Sequence, residues 1–179
     1  MNDRELLLKA IQAEPGDRTA RLVYADWLDD HPELPGAAAT AEFVRLCCKP
    51  VRGPWDIPLE AYLWFHVNAK RLVPSVVALS VPITEPSDRW PAVPEGGMEW
   101  NVAGTKIDTY VTLAAKNWRG VSLYSCRLRL HFWMGLCDHW TMGSAFGRER
   151  VEPALRTDRP ELFLPPRGGN VSTPGAESA

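Results

Sequence analysis

Three groups of side chains have the types and spacing that chemistry requires. The first is Asp26, Asp29 and Asp30, in the stretch Arg21-Leu22-Val23-Tyr24-Ala25-Asp26-Trp27-Leu28-Asp29-Asp30. Residues four apart share a helix face, so Asp26 and Asp30 could pair as a metal or acid–base site. The plainer reading has Asp26 holding a basic residue such as Arg21 or Arg45, with Asp29 and Asp30 solvated. Carboxylates near a helix C-terminus oppose the dipole and need cationic company. The second group is Cys126, His131, Cys137 and His139, whose thiol and imidazole groups are those that zinc prefers. Their spacing, C-x4-H-x5-C-x-H, matches no strong finger pattern, and buried apolar packing accounts better for Cys126 and Cys137. Cys47 and Cys48 fall in a helical stretch without a glycine-rich turn that could supply an oxyanion site. The third group is Arg148, Arg150, Arg156, Arg159 and Arg167, which with Trp133 and Trp140 could grip a nucleic-acid strand by charge and stacking. Glu149, Glu152, Asp158 and Glu161 interleave with them, which favours a solvated, salt-bridged face. No catalytic, cofactor-binding or metal-ligating residue is therefore assigned.

The elements that must position these groups read as follows. Asn2 or Asp3 caps a helix over 4–13, Pro15-Gly16 stops it, and Asp17 caps a second helix over 18–30. The short connection makes an antiparallel pair, and a third helix follows from Ala37 to Cys48. A fourth helix is expected over 58–73, opened by Pro58. Strands are expected at about 75–81, 98–103, 107–114 and 120–130, with a bulge near Ser125 where the alternation shifts phase. A helix over 131–146 and a strand over 150–155 complete the chain. The expected class is α+β: a small N-terminal helical module (1–50) packed on a mixed sheet with a late covering helix (51–164). Residues 165–179, rich in Pro, Gly and Ser, are expected to be a disordered tail.

Composition narrows the function classes. The chain has 179 residues, 45% hydrophobic and 23% charged, with net charge -2, so no global basic field recruits nucleic acid or anionic membrane. An adjacent cysteine pair and two scattered thiols do not make a secreted disulfide framework, and no apolar run is long enough to span a membrane. The polar N-terminus has no signal-peptide core, so a cytoplasmic location is expected. The eight tryptophans are unusual, since indole rings favour seams and interfaces. Trp55 and Trp90 lie in proline-rich loops and form the expected interaction surface.

The blocks Leu6-Leu7-Leu8-Lys9-Ala10-Ile11, Pro15-Gly16-Asp17, Arg21 through Asp30 and Ala41-Glu42-Phe43-Val44-Arg45-Leu46 together resemble the bacterial repeat-companion domain over residues 3–48. Residues 118–160, with Trp118-Arg119-Gly120-Val121 and Asp158-Arg159-Pro160, look like the region that often follows it. Thr40 stands where the family usually has Arg, Cys47 where it has Gln, and the stretch His31–Ala39 is longer than usual. The resemblance implies a structural motif of Arg21, Tyr24, Asp26, Trp27, Leu28, Glu42, Phe43 and Arg45, and it implies no enzymatic activity. The expected function is a non-enzymatic protein-interaction or adaptor module with an unidentified protein partner and no cofactor. The alternatives are a small metal-dependent or hydrolytic enzyme, and nucleic-acid binding through the C-terminal arginines.

Overall fold

The computed structural model describes residues 2–51, 57–79, 101–103, 106–117 and 120–164, with backbone only across 101–125 and at 146. Helix α1 spans Asp3–Ala13, opened by the Asn2 side chain accepting the Glu5 N–H at 2.9 Å. Helix α2 spans Arg18–Asp29, opened by Asp17, whose carboxylate accepts the Thr19 N–H at 2.8 Å. Its buried face is Arg21, Tyr24, Ala25 and Leu28, the spacing of an amphipathic helix on a core. Helix α3, Ala37–Cys47, starts after Gly36 in the left-handed region. Helix α4, Leu59–Asn68, leads through a 3-10 turn at Ala69–Leu72 into α5, Pro74–Leu79. The strands β1 (Asn101–Ala103), β2 (Lys106–Asn117), β3 (Gly120–Trp133) and β4 (Leu136–Met142) form an antiparallel meander in chain order. Helix α6, Ala145–Asp158, capped by Ser144, covers that sheet before a last 3-10 turn at Pro160–Phe163.

The protein is α+β, with the early helices and the late covering element that the sequence led us to expect, but several elements differ. Residues 75–79 are helix instead of strand. Pro74 suits a first helical position, and the first N–H groups find an acceptor far away in sequence. Asp158 Oδ2 accepts from Ser75 N at 3.0 Å and Val76 N at 3.2 Å, a cap delivered from α6. The expected helix over 131–146 is instead the end of β3, a tight turn and β4. Leu128, Leu130 and Phe132 are buried while Arg127, Arg129 and Trp133 are exposed, a period of two that runs on past residue 130. Met134 and Gly135 then take φ of 45° and 88°, the paired positive values of a two-residue hairpin turn. The expected strand over 150–155 lies in α6, where Val151 and Leu155, four apart, are both buried. Pro153 sits on the exposed side, where the carbonyl it leaves unpaired can meet water. The sheet among the described strands is wholly antiparallel, not mixed. The β2–β3 register runs unbroken past Thr112 opposite Ser125, and the irregularity lies against β4 between His131 and Phe132. The tail 165–179 lies outside the described residues.

Two apolar cores meet at α3. Ala37, Ala41, Val44 and Cys48 pack with Leu8, Ile11, Tyr24, Ala25, Leu28 and the hairpin residue Leu136. Ala39, Phe43 and Cys47 face the other core, with Phe65, Leu72, Val76, Leu128, Leu130 and Leu155. Phe43 is its aromatic centre, stacked on Trp64 at 5.2 Å and Phe65 at 4.9 Å and edge-on to Phe132 at 6.1 Å. A boundary at residue 50 therefore runs beside a shared helix, not between independent cores. The hairpin tip seals this arrangement: a Cβ built on Gly135 would stand 2.6 Å from Val44 Cα.

Candidate functional site

Where the hairpin tip meets α1 and α2, the chain forms a half-open cavity of about 300 Å³. Leu8, Ile11 and Leu136 give it an apolar floor, and Trp133, 47% exposed, stands at its wall. Arg21 is the polar centre, only 3% exposed. Its Nε and Nη2 donate to the Pro15 carbonyl at 3.1 and 2.9 Å, and its Nη1 donates to the Met134 carbonyl at 3.1 Å. The guanidinium also lies over the Trp133 ring, 5.1 Å from its centroid. Arg21 thus ties the α1–α2 turn to the hairpin tip instead of pairing with Asp26. Burial lowers its pKa, the direction expected when a cation leaves water.

The acidic wall comes from Asp138 and Glu161. Asp138 is the extra residue of the β-bulge, since Phe132 pairs with Cys137 and His131 with His139. A bulge re-aims the side chain it carries, here onto the cavity lining. Glu161 is committed: its Oε1 accepts from Cys137 N at 3.2 Å and from Arg159 Nη1 at 3.4 Å. Arg159, 1% exposed, also donates through Nη2 to Thr40 Oγ1, and that hydroxyl in turn donates to the Gly36 carbonyl at 2.8 Å. The Nε of Arg159 has no partner among the described residues. Asp158, Arg159 and Glu161 therefore bind α5, α3 and β4 to one turn. Sequence reasoning missed this node because alternating charges normally mark a solvated face. The available signal was the proline following two opposite charges, which stops the helix and fixes where they point.

The other sequence-derived groups separate. Arg45 Nη2 donates to Asp26 Oδ1 at 2.7 Å and Asp29 Oδ2 at 2.6 Å, all three side chains well exposed. Those hydrogen bonds hold the Arg45 pKa above its usual value. Tyr24 is buried, its hydroxyl accepting from Arg4 Nε at 3.3 Å, and burial raises its pKa. Trp27 stacks between Tyr24 at 6.0 Å and His31 at 3.9 Å. Leu28 and Phe43 are core, and exposed Glu42 lies 3.7 Å from Arg71. Cys126 and Cys137 point into the core, while His131 and His139 meet across the strands on the other side, ring centroids 5.8 Å apart. Strand alternation thus divides the zinc set, and among the described residues no three His, Cys, Asp or Glu are arranged to hold a metal. Burial pushes the Cys47 thiol up to about 12 and raises that of Cys137 as well. Of the late arginines, Arg159 is buried, and Arg156 pairs with Glu152 at 2.6 Å and covers the Phe163 ring at 4.0 Å. Arg148 lies 5.2 Å over Trp140, and Arg150 is exposed. Arg167, Trp55, Trp90 and Trp118 lie outside the described residues.

No family model, curated protein or solved structure matches this chain. The surface must therefore be read on its own chemistry. Among the described residues the most exposed large aliphatic side chains are on α4, where Leu59, Leu63 and Val67 are 61, 56 and 82% exposed. Their i, i+4, i+8 spacing makes one continuous stripe, opposite the buried Ala61 and Phe65. No helix among the described residues is long and apolar enough to cross a membrane.

Proposed function

We propose that this chain is a non-enzymatic protein-interaction module of the bacterial cytoplasm, with a repeat-companion-like helical unit at its N-terminus. The supporting observation is the α4 stripe Leu59, Leu63 and Val67. A helix apolar on both faces has one face for its own core and one for a second body. Singly scattered surface leucines need no explanation, but a contiguous row on one helix is the pattern of an interaction site. The spacing suits a partner helix laid along α4, its side chains entering between those of the stripe. The thiols of Cys47 and Cys137 are held protonated in the core and the carboxylates of Asp26 and Asp29 are ion-paired, which weighs against the hydrolytic alternative.

Burying Leu63 and Val67 contributes roughly 1.5–3 kcal/mol each on docking. Replacing both with glutamate is expected to weaken partner binding by about a hundredfold or more, while the melting temperature stays near that of the parent. Affinity purification from the native host, followed by titration of the recovered partner, checks this. Undiminished affinity in a folded double variant overturns the α4 reading. A partner lost equally by Trp55→Ala, Trp90→Ala moves the contact to the loop tryptophans.

A further inference from the structure

The cavity under the hairpin tip lies on other elements than α4 and carries an inference of its own. A guanidinium has five N–H groups, and three of those on Arg21 donate to the Pro15 and Met134 carbonyls. Two have no acceptor among the described residues, on a side chain that is 97% removed from solvent and lines the cavity. No carboxylate of the described residues lies within 4.0 Å of it. Glu161 and Asp138 act on it only from beyond contact distance, and a buried guanidinium with two N–H groups left over is best completed by an anion with two acceptor oxygens. Asp138 supplies the complementary charge on the same wall. The bulge turns it there, and among the described residues its side chain has no hydrogen bond or ion pair. Glu161 faces the same space, but Cys137 and Arg159 already engage it, so Arg21 and Asp138 are the opposed charges left for a ligand. Between them lie Leu8, Ile11 and Leu136, with the indole of Trp133 at the wall.

We propose that this cavity binds the zwitterionic head of a hydrophobic α-amino acid. The carboxylate takes the two spare N–H groups of Arg21, the ammonium faces Asp138, and the side chain lies on Leu8, Ile11 and Leu136 beside Trp133. The cavity volume is at the lower end of small-ligand sites, which fits one residue and not an extended chain. The C-terminal residue of a polypeptide offers the same carboxylate and apolar side chain, with an amide N–H in place of the ammonium, and the ligands tested must separate these two sources.

The test uses the full chain and follows the Trp133 indole N–H by two-dimensional NMR, assigned with Trp133→Phe. The probes are L-phenylalanine, L-leucine, L-phenylalaninamide, N-acetyl-L-phenylalanine and an acetylated tripeptide ending in phenylalanine. The free amino acids are expected to give a saturable shift, and the amide, lacking the carboxylate, none. N-acetylation is expected to weaken binding at least tenfold. Asp138→Asn, at an exposed position, should weaken L-phenylalanine about tenfold and leave N-acetyl-L-phenylalanine unchanged. Tripeptide binding as tight as that of L-phenylalanine, with the same need for a carboxylate, assigns the chain end as the source and overturns the free amino acid. Equal shifts with L-phenylalanine and its amide, or no saturable shift up to ~10 mM of any probe, overturn the proposal altogether. Both results are independent of what happens at α4.

Discussion

Gly135→Ala tests the join between the hairpin and α3. Gly135 has φ of 88°, which an L side chain adopts only at a cost of about 1–2 kcal/mol. The new Cβ would lie 2.6 Å from Val44 Cα, 2.8 Å from its Cγ2 and 3.0 Å from its N. Two of those three atoms are backbone, so no rotamer change relieves the contact, and either the hairpin or α3 must shift. Overpacking of that kind costs about 1–3 kcal/mol. The stiffer unfolded chain returns roughly 0.4–1 kcal/mol. The net expectation is a loss of about 2–4 kcal/mol and a fall in Tm on the order of 10 °C. Urea titration followed by both far-UV circular dichroism and tryptophan fluorescence measures it. Gly16→Ala is the matched control, because nothing lies within 4 Å of its Cβ and its φ is ordinary. It should be neutral or more stable by up to about 1 kcal/mol. A Gly135→Ala protein as stable as this control would refute the seating of the hairpin on Val44.

Three further outcomes follow from the same contacts. Burial raises the Asp158 carboxyl pKa against the hydrogen bonds from Ser75 and Val76, so the folded state binds its proton more readily than the unfolded state. Its contribution is then fully present below the unfolded value and declines as pH rises through the raised one. The stability advantage of the parent over Asp158→Asn should therefore be largest at acid pH and shrink towards neutrality; an advantage growing with pH would contradict the burial argument. Asp26→Asn and Arg45→Met remove only exposed ion pairs, and denaturant titration should find each within about 1 kcal/mol of the parent, with less difference in high salt. A loss above about 2 kcal/mol in either would mean the pair is buried. With its thiol near 12, Cys47 should react with a disulfide reagent at pH 8 roughly a thousandfold more slowly than in the urea-unfolded chain, and equal rates would place it at the surface.

The N-terminal helices were legible because each boundary has its own local chemistry. Asn2 and Asp17 cap, Pro15-Gly16 break, and apolar residues recur at helical spacing. The C-terminal half was not, because its decisive contacts are distant in sequence. Pro74–Leu79 has β-branched composition yet is helical under the Asp158 cap, eighty-odd residues away. Phe132, Leu136, His139 and Trp140 also fit a helix, and only the Met134-Gly135 turn separates that reading from a hairpin. The expected strand over 150–155 is helix although it holds Pro153, since a proline on a solvent-facing side interrupts a helix less than its sequence position implies. The cavity depended on the same errors: Trp133, Leu136 and Asp138 meet Arg21 only once 131–142 is a hairpin. Arg21 itself was visible in sequence, but only as one of two candidate partners for Asp26, the place that Arg45 takes, because a backbone carbonyl leaves no signature there. The α4 stripe was half legible: Leu59, Leu63 and Val67 recur at helical spacing, but spacing alone does not say which face the core takes, and Ala61 and Phe65 occupy it.

The interaction reading rests on α4, and a photo-crosslinking amino acid at Val67 in the native host examines it most directly. The expected result is one discrete adduct with another polypeptide, whose yield collapses when Leu59 and Leu63 are changed to lysine. A yield no higher than from the same probe at exposed Ala13, or an adduct indifferent to Leu59 and Leu63, would contradict it.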